Sequence, residues 1–370
     1  MYSNRISSTA RYNLLTSDIQ KNEAMFNKVT AELASGKKVN SITDDPIAAV
    51  NIINTNRQLG QIETFNKNIG LGMSELKTMD DLLELAGGYL SQAWDKATQA
   101  NNQTYGVNSL QSIKVEIDEI TKTMVDLANT EFNDSYIFGG ANTKILPYDL
   151  TDEGDIVYRG TPHDNKDYAR RTEVADGVFE TINTTGDKVF GYYRAAVEPG
   201  NGVYTDTDGK RVIAADDGEG GTIYQYENGN KYTGEISALT DGAEEEYDGI
   251  MGALRLLSIS LQEVIDAKNA GDTEAEQAGY DKMFSTMDMF SNSHTLMLNE
   301  QTKFGGVYNR LEMTESTLET NNEDLTSYLS TIQDADLAES ISKWYRTQYA
   351  YQASLQVAAS SMGMSLLNYL

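Results

Sequence analysis

Cysteine and histidine, two residue types that often carry enzymatic chemistry, are scarce in this chain. Its 370 residues include no cysteine and only two histidines, His163 and His294, which lie far apart in the sequence. Disulfides, thiol nucleophiles and thiolate metal sites are therefore excluded. The sequence also lacks a glycine-rich phosphate loop and a His-Glu-x-x-His zinc motif. We predict that the protein is not an enzyme, with no catalytic residues, no cofactor and no metal.

The best remaining ligand candidate is an acidic turn containing Asp206 and Asp208. Two aspartates at alternate positions resemble the start of a calcium loop, but Lys210 occupies the next ligand position and Arg211 replaces the required glycine. A hairpin explains this stretch better, because Asp208-Gly209 suits a tight type I′ turn. Paired carboxylates elsewhere in the acidic middle of the chain stay open as an alternative.

Charge is distributed unevenly along the chain, which has a formal net charge of −27. Residues 138–250 contain 23 acidic and ten basic side chains, whereas residues 1–45 contain five acidic and six basic ones. Such acidity argues against nucleic acid or an anionic membrane as a partner. It predicts a solvated middle and ends that are neutral enough to pack closely.

Targeting signals are missing from the part of the sequence where a secreted protein would show them. The first 30 residues lack the apolar core of a secretory signal, and no run of 18 apolar residues occurs anywhere. These rules alone predict a cytosolic protein without membrane insertion.

Both ends of the chain show apolar residues that recur every three or four positions, the spacing of a coiled-coil seam. We predict two long helices, over about residues 8–34 and 337–370, that pair with each other or with neighbouring copies. The N-terminal seam positions, with Asn22 in one slot, are Leu15, Ile19, Phe26, Val29 and Leu33. The C-terminal ones, with Gln348 in one slot, are Leu337, Ile341, Trp344, Tyr351, Leu355, Ala358 and Met362.

A polar connector follows the first helix, and a second break lies at residues 330–336. Gly36 provides a left-handed stop, and Pro46 suits the first position of the next helix with Asp45 as its cap. The lysines and aspartates of this connector either bridge neighbouring subunits or only cap and solvate the joint; the sequence leaves both readings open. The predicted boundary residues are Ser35, Gly36, Lys37, Lys38, Asp44, Asp45 and Pro46.

Between these ends the pattern changes from helix to strand and back. Helical periodicity covers about 46–100, 106–131 and 273–332, the last interrupted at Gly305-Gly306, whereas 138–250 holds 17 of the 30 glycines and short β-rich runs. We predict a mainly α protein with an inserted β-rich domain. Its parts are a terminal coiled-coil domain (1–43 and 336–370), an elongated helical-bundle rod (44–140 and 250–335) and a β-rich outer domain (141–249).

Motifs at both ends resemble the bacterial flagellin family. Near the start these are Leu-Ala-Ser-Gly-Lys-Lys at 33–38 and Asp-Asp-Pro-Ile-Ala-Ala at 44–49; near the end they are Tyr-Gln-Ala-Ser-Leu-Gln at 351–356 and Ser-Leu-Leu-Asn-Tyr-Leu at 365–370. Within that family, two further segments are similar to those of the subunits at the junction between hook and filament. They are Tyr-Ile-Phe-Gly-Gly-Ala-Asn-Thr at 136–143 and Thr-Ile-Asn-Thr-Thr-Gly-Asp-Lys-Val-Phe at 181–190.

The resemblance implies a structural subunit that self-assembles through its terminal helices and joins the hook region to the filament. Implied neighbours are further copies, hook-associated protein 1 and flagellin. It also implies export through the flagellar type III apparatus, which replaces the cytosolic prediction with secretion to the flagellum. Leu366, Leu367 and Leu370 are then an interface that also binds an export chaperone. The alternatives are flagellin itself and a glycan-binding or adhesive module formed by the tyrosine-rich β domain.

Overall fold

The chain forms two compact units in the computed structural model. A terminal unit comprises Met1–Thr64 with Ser316–Leu370, and a central unit comprises Phe65–Glu315. The boundaries of the three-part division inferred from the sequence remain a prediction. The structure describes residues 8–151, 154–163, 165, 167–197, 199–207, 210–216, 222–226 and 231–367.

Helices dominate the described residues, and the strands lie in the middle of the chain, so the predicted fold class is confirmed. No described helix has the length and apolarity needed to cross a membrane. The helices are α1 (Ser8–Ser35), α2 (Pro46–Ala100), α3 (Val107–Ala128), α4 (Gly186–Val189), α5 (Gly249–Ala270), α6 (Thr273–Gln333) and α7 (Leu337–Leu367), with a 3-10 turn at Ile236–Ala238.

The expected interruption at Gly305-Gly306 was wrong, because α6 continues through both glycines. Each glycine is exposed, and a Cβ atom there would meet no neighbouring atom. The flanking Phe304 and Val307 are both buried. Packing on the inner face therefore outweighs the low helix propensity of two glycines on the outer face.

Buried residues of α6 within the central unit repeat every seven positions in two rows, as in coiled-coil packing. One row is apolar and large, and consists of Met283, Phe290, Met297, Phe304 and Leu311. The second row is small or polar, and consists of Thr286, Ser293, Glu300 and Val307. Helix α2 has a comparable pair of rows, one of them rich in alanine at Ala86, Ala93 and Ala100. Glu300 is the one charged side chain in these rows.

Helix α5 is largely buried within the central unit. Apolar side chains cover most of its circumference, and the Ser258 hydroxyl donates to Asp118 of α3 at 2.5 Å. Its first residue, Gly249, has a φ of +58° and lies so close to Gly191 that a Cβ atom would meet the Gly191 Cα at 2.8 Å. Only glycine allows that backbone conformation and that approach together.

The described strands form antiparallel sheets and hairpins. Four strands pair in the order β12-β7-β4-β3, another four in the order β10-β9-β8-β11, and β1-β2 and β5-β6 are separate pairs. The strands are β1 (Glu131–Phe132), β2 (Ser135–Tyr136), β3 (Tyr148–Leu150), β4 (Ile156–Tyr158), β5 (Arg171–Ala175), β6 (Val178–Thr181), β7 (Tyr192–Arg194), β8 (Val203–Thr205), β9 (Arg211–Asp216), β10 (Thr222–Tyr226), β11 (Thr240–Asp241) and β12 (Glu246–Asp248).

Turn residues account for some of these pairings. The predicted hairpin of 203–205 with 211–213 is present as β8 and β9, in the register Val203 to Ile213. Its Asp208-Gly209 turn lies outside the described residues, as does Asn228-Gly229. The β1–β2 hairpin was not predicted; its two turn residues, Asn133 and Asp134, have φ values of +49° and +58°, which suit a type I′ turn.

Candidate assembly interface

Helices α1 and α7 of the terminal unit lie against each other in antiparallel directions. The Trp344 indole N–H donates to the Thr30 hydroxyl at 3.1 Å, and the Ser340 hydroxyl donates to the Glu32 carboxylate at 2.6 Å. A later residue on α1 thus contacts an earlier residue on α7, as expected for antiparallel helices. The two ends of the chain therefore pair within one molecule.

The predicted N-terminal seam residues share one face of α1. Val29 is buried, while Leu15, Ile19, Phe26 and Leu33 are half-buried. Phe26 stacks nearly parallel on Tyr351, with ring centres 6.1 Å apart, and its ring lies 5.8 Å from that of Trp344. Aromatic contacts are thus central to this pairing.

The face that α7 turns towards α1 differs from the predicted one by one row of side chains. Trp344, Tyr351 and Ala358 lie in the contact, flanked by the small residues Ser340, Thr347 and Ser354. The other predicted positions, Leu337, Ile341 and Leu355, are 54%, 45% and 43% exposed. A spacing of three and four residues predicts the middle of an apolar face. It does not predict whether the residues on one side or the other of that middle row contact the partner helix. The assignment of these three residues to a seam therefore stays a prediction, now of contact with another molecule.

The extreme C-terminus of the predicted interface is only partly described. The backbones of Met362, Leu366 and Leu367 belong to α7. Their side chains and the whole of Leu370 lie outside the described residues. Their roles in assembly and chaperone binding remain predictions.

The connector after α1 is held by backbone hydrogen bonds to the break before α7. Gly36, with a φ of +70°, ends α1, and its carbonyl accepts from the Ala335 N–H at 2.9 Å. The Lys38 N–H donates to the Gln333 carbonyl at 2.8 Å, and Lys37 pairs with Asp334 in an antiparallel bridge. The two predicted breaks therefore form one joint.

Aspartates cap the helices that leave this joint. Asp45 accepts from the N–H groups of Ile47 and Ala48 at 3.0 Å each, with Pro46 as the first residue of α2. Asp336 accepts in the same way from Ala338 and Glu339, at 2.9 and 3.1 Å. Both carboxylates satisfy backbone donors that a helix leaves unpaired.

Asp44 and Lys38 of the connector are also engaged within the chain. The Lys28 ammonium lies 3.1 Å from Asp44, and this interaction holds the pKa of the Asp44 carboxyl below its usual value. The Lys38 ammonium donates to the Thr331 carbonyl at 2.7 Å, and the Ser35 hydroxyl accepts from the Lys37 N–H at 3.1 Å. These contacts explain the polar connector as a capped joint. Bridging of neighbouring subunits by its charges stays a proposal.

The start of α2 has apolar side chains on opposite sides. Val39, Ala49 and Ile52 form a buried cluster against Leu329 and Ile332 of α6. The side that faces solvent is also aliphatic, and its residues with their exposed fractions are Ile42 (59%), Ile47 (77%), Val50 (50%) and Ile53 (61%). This surface was not predicted from the sequence, although the unbroken aliphatic stretch at 47–50 indicates it.

In the central unit, the two segments that resemble those of junction subunits lie together. Gly139 pairs with Thr185 in an antiparallel bridge, and the Gly186 N–H donates to the Phe138 carbonyl at 2.9 Å. The Phe138 and Phe190 rings meet edge to face at 5.0 Å, and both are fully buried. Residues 136–143 and 181–190 therefore form one structural element.

This element is fixed to α6 through the buried carboxylate of Glu300. The Lys188 ammonium donates to it at 2.5 Å, the Thr184 hydroxyl donates at 3.0 Å, and Lys303 lies 3.5 Å away. Burial alone would raise the pKa of Glu300, but the hydrogen bond from Lys188, with Lys303 and Thr184, holds it below its usual value. A second ion pair, between Arg170 and Glu75, attaches the start of β5 to α2.

The described residues contain no group of three histidine, aspartate or glutamate side chains that could hold a metal ion. Among these residues, His163 pairs with Asp187 at 2.9 Å, which links the loop before β5 to α4. By contrast, aliphatic side chains remain exposed on α2 and α7, and large exposed apolar surfaces mark interaction sites.

Comparison with known proteins gives matches at both ends of the chain and along its length. The family model of the bacterial flagellin N-terminal helical region matches residues 6–143, and that of the C-terminal helical region matches residues 287–370. Flagellar hook-associated protein 3 of Escherichia coli (strain K12) is 23% identical over 363 residues, which cover 98% of each chain. Flagellin of Clostridium tyrobutyricum is 22% identical over 366 residues, covering 90% of this chain and 92% of that protein.

A solved structure supports the same fold. The crystal structure of Xanthomonas campestris FlgL superposes with a TM-score of 0.52 at 17% identity, covering 75% of this chain and 99% of that one. At this level of identity the likeness concerns the fold alone.

Proposed function

This chain belongs to the bacterial flagellin family, and from that premise we propose that it is a structural subunit of the flagellum at the junction between hook and filament. The observation that carries the proposal is the match to E. coli hook-associated protein 3 along nearly the whole of both chains. The joined segments 136–143 and 181–190, which resemble those of junction subunits, support the same choice within the family.

The proposed activity is assembly without catalysis. Terminal helices that expose Leu337, Ile341 and Leu355 in a single chain gain free energy when neighbouring copies cover those side chains. Each fully covered aliphatic side chain contributes on the order of 1.5–3 kcal/mol. We therefore expect the subunit to be more stable in an assembly than as a single chain.

The partners that we propose follow from the proposed position of this subunit in the flagellum. On one side the subunit contacts hook-associated protein 1, on the other it contacts flagellin, and further copies complete its own layer. Before assembly, the chain is exported unfolded through the flagellar type III apparatus. An export chaperone binds the apolar C-terminus at Leu366, Leu367 and Leu370.

Antibody labelling of isolated flagella, viewed by electron microscopy, tests this proposal. A single labelled band where the hook meets the filament is expected, together with flagella that lack filaments when the gene is deleted. Label along the whole filament would refute the junction role.

The second candidate function is flagellin, the bulk filament subunit. The specific observation in its favour is the match to C. tyrobutyricum flagellin over most of both chains. The labelling experiment separates the two functions, because a filament subunit labels the full length and a junction subunit labels one band.

A further inference from the structure

The terminal unit exposes two separate apolar surfaces. The first, the α2 patch, consists of Ile42, Ile47, Val50 and Ile53. The second, the α7 stripe, consists of Leu337, Ile341, Tyr345 and Leu355, whose exposed fractions are 54%, 45%, 52% and 43%. Both are exposed in the same folded unit, so neither covers the other within one chain. Each needs an occupant from outside.

Helix geometry makes the two surfaces suitable for each other. Ile47, Val50 and Ile53 follow one another at intervals of three residues, whereas Leu337, Ile341 and Tyr345 follow at intervals of four. A ridge of the first kind fits a groove of the second kind at a crossing angle of about 20°, the geometry of most coiled coils and helical bundles. A pairing of one α7 stripe with another would instead set two four-residue ridges together at about −50°.

Charge also favours a second copy as the occupant. The terminal unit contains twelve acidic and nine basic residues, a net charge of −3, whereas the whole chain has −27. Copies that approach through this unit therefore avoid the repulsion that their acidic central units impose. The charged pair Lys343–Glu339, at 2.9 Å, lies on the opposite flank of α7 and leaves the stripe uncharged.

From these observations we infer that the α2 patch of one copy receives the α7 stripe of the next copy, in a head-to-tail contact. Because the two surfaces differ, each copy that binds one neighbour still has a free surface for another. Such a heterologous contact produces a ring or a helical layer, whereas a contact between identical surfaces stops at a dimer. The inference rests on the proposed self-assembly and specifies the surfaces that mediate it.

Cysteine cross-linking in isolated flagella tests the inference, and the absence of native cysteine makes every product assignable. The variants are Ile47→Cys, Ile341→Cys and the double variant, treated with a short bis-maleimide and examined by denaturing electrophoresis and immunoblot. We expect a ladder of dimers and higher species from the double variant. Co-expressed single variants should give dimers, and each single variant alone should give monomer. The matched control pairs Ile47→Cys with Arg346→Cys, on the opposite flank of α7, and should give no ladder.

The outcomes separate this inference from the proposed function. Dimers from Ile341→Cys alone would overturn it in favour of a contact between two α7 stripes. Normal labelling of the double variant at the junction, without any cross-link, would overturn the head-to-tail contact and leave the junction role intact.

Charge rescue provides a second measurement that does not depend on cross-linking. Ile47→Lys and Ile341→Glu should each lower incorporation by about tenfold, because each buries an unpaired charge in the contact. The two changes in one chain should restore most of the incorporation, because the charges then meet across the interface. Failure of the double change to recover would overturn the inference even if the cysteine variants did not assemble.

Discussion

Replacement of Glu300 by glutamine should destabilise the central unit more than any other single charge removal on α6. Glu300 is only 5% exposed and accepts hydrogen bonds from Lys188 and Thr184. Removing one partner of a buried ion pair typically costs about 3–5 kcal/mol. Lys188 is 35% exposed and can turn to water, which lowers the expected loss to about 2–3 kcal/mol.

The assay can follow the central unit alone. The chain has two tryptophans, Trp94 in the central unit and Trp344 in the terminal unit. In a Trp344→Phe background, Trp94 fluorescence during urea unfolding therefore reports the central unit. Glu312→Gln, at an exposed position of the same helix, is the matched control and should change the free energy of unfolding by less than about 0.5 kcal/mol.

The pH dependence gives the sharper test. The pKa of Glu300 is lower in the folded protein than its usual value of 4.5. Its carboxylate therefore stabilises the fold fully above about pH 4.5, and this contribution is lost as the pH falls through the folded-state pKa. The difference in unfolding free energy between parent and Glu300→Gln should be largest at pH 7 and shrink towards pH 3. A difference that stays constant with pH, or a loss no larger than that of Glu312→Gln, would refute the reasoning.

Three further predictions concern the terminal unit. Reversing Lys37 and Lys38 to glutamate should impair incorporation into flagella while shifting the unfolding free energy of the monomer by less than about 1 kcal/mol, measured by urea unfolding, because both side chains are exposed; loss of monomer stability alone would favour the capped-joint reading. Truncation of residues 361–370 should abolish chaperone binding in a pull-down and assembly in flagella, with unchanged Trp94 fluorescence; normal incorporation would contradict it. Amide exchange on the monomer should show weak protection at 8–34 compared with α5, since α1 depends on one neighbouring helix; strong protection there would show that neighbours are not needed for order.

The periodicity of apolar residues, together with the residues that start and stop helices, predicted much of the helical framework. Pro46 and Asp45 predicted the start of α2, and Gly36 predicted the end of α1, because proline, capping carboxylates and left-handed glycines act through neighbouring backbone atoms. The face of α1 was equally predictable from Val29 and its row. These features depend on contacts between residues close together in the sequence, and such contacts can be predicted from the sequence itself.

Features set by distant contacts were not predictable. The heptad row of α6 contains Glu300, and nothing near it in sequence shows that Lys188, 112 positions away, supplies its partner. On α7, the aliphatic residues Ile341 and Leu355 fitted the spacing better than Ser340 and Ser354. The small residues nevertheless lie in the contact, where Ser340 donates to Glu32 of α1. Periodicity identifies a contact face by its apolar side chains. The residues that contact α1 are instead determined by their shape and their hydrogen bonds.

The junction of β7 with β12 makes part of the β-rich region interchangeable. Arg194 pairs with Glu246 across these strands, with a side-chain ion pair at 3.0 Å, so residues 195–245 leave the sheet and return to it at adjacent positions. Antiparallel neighbours of this kind lie about 5 Å apart, a gap that a two-residue turn spans. We therefore expect that the intervening segment can be shortened, lengthened or exchanged without altering the paths of α2, α5 and α6, provided that the contacts of Arg211 with Arg194 and Glu246 are replaced. Natural variation should concentrate there, and foreign epitopes should be accepted there.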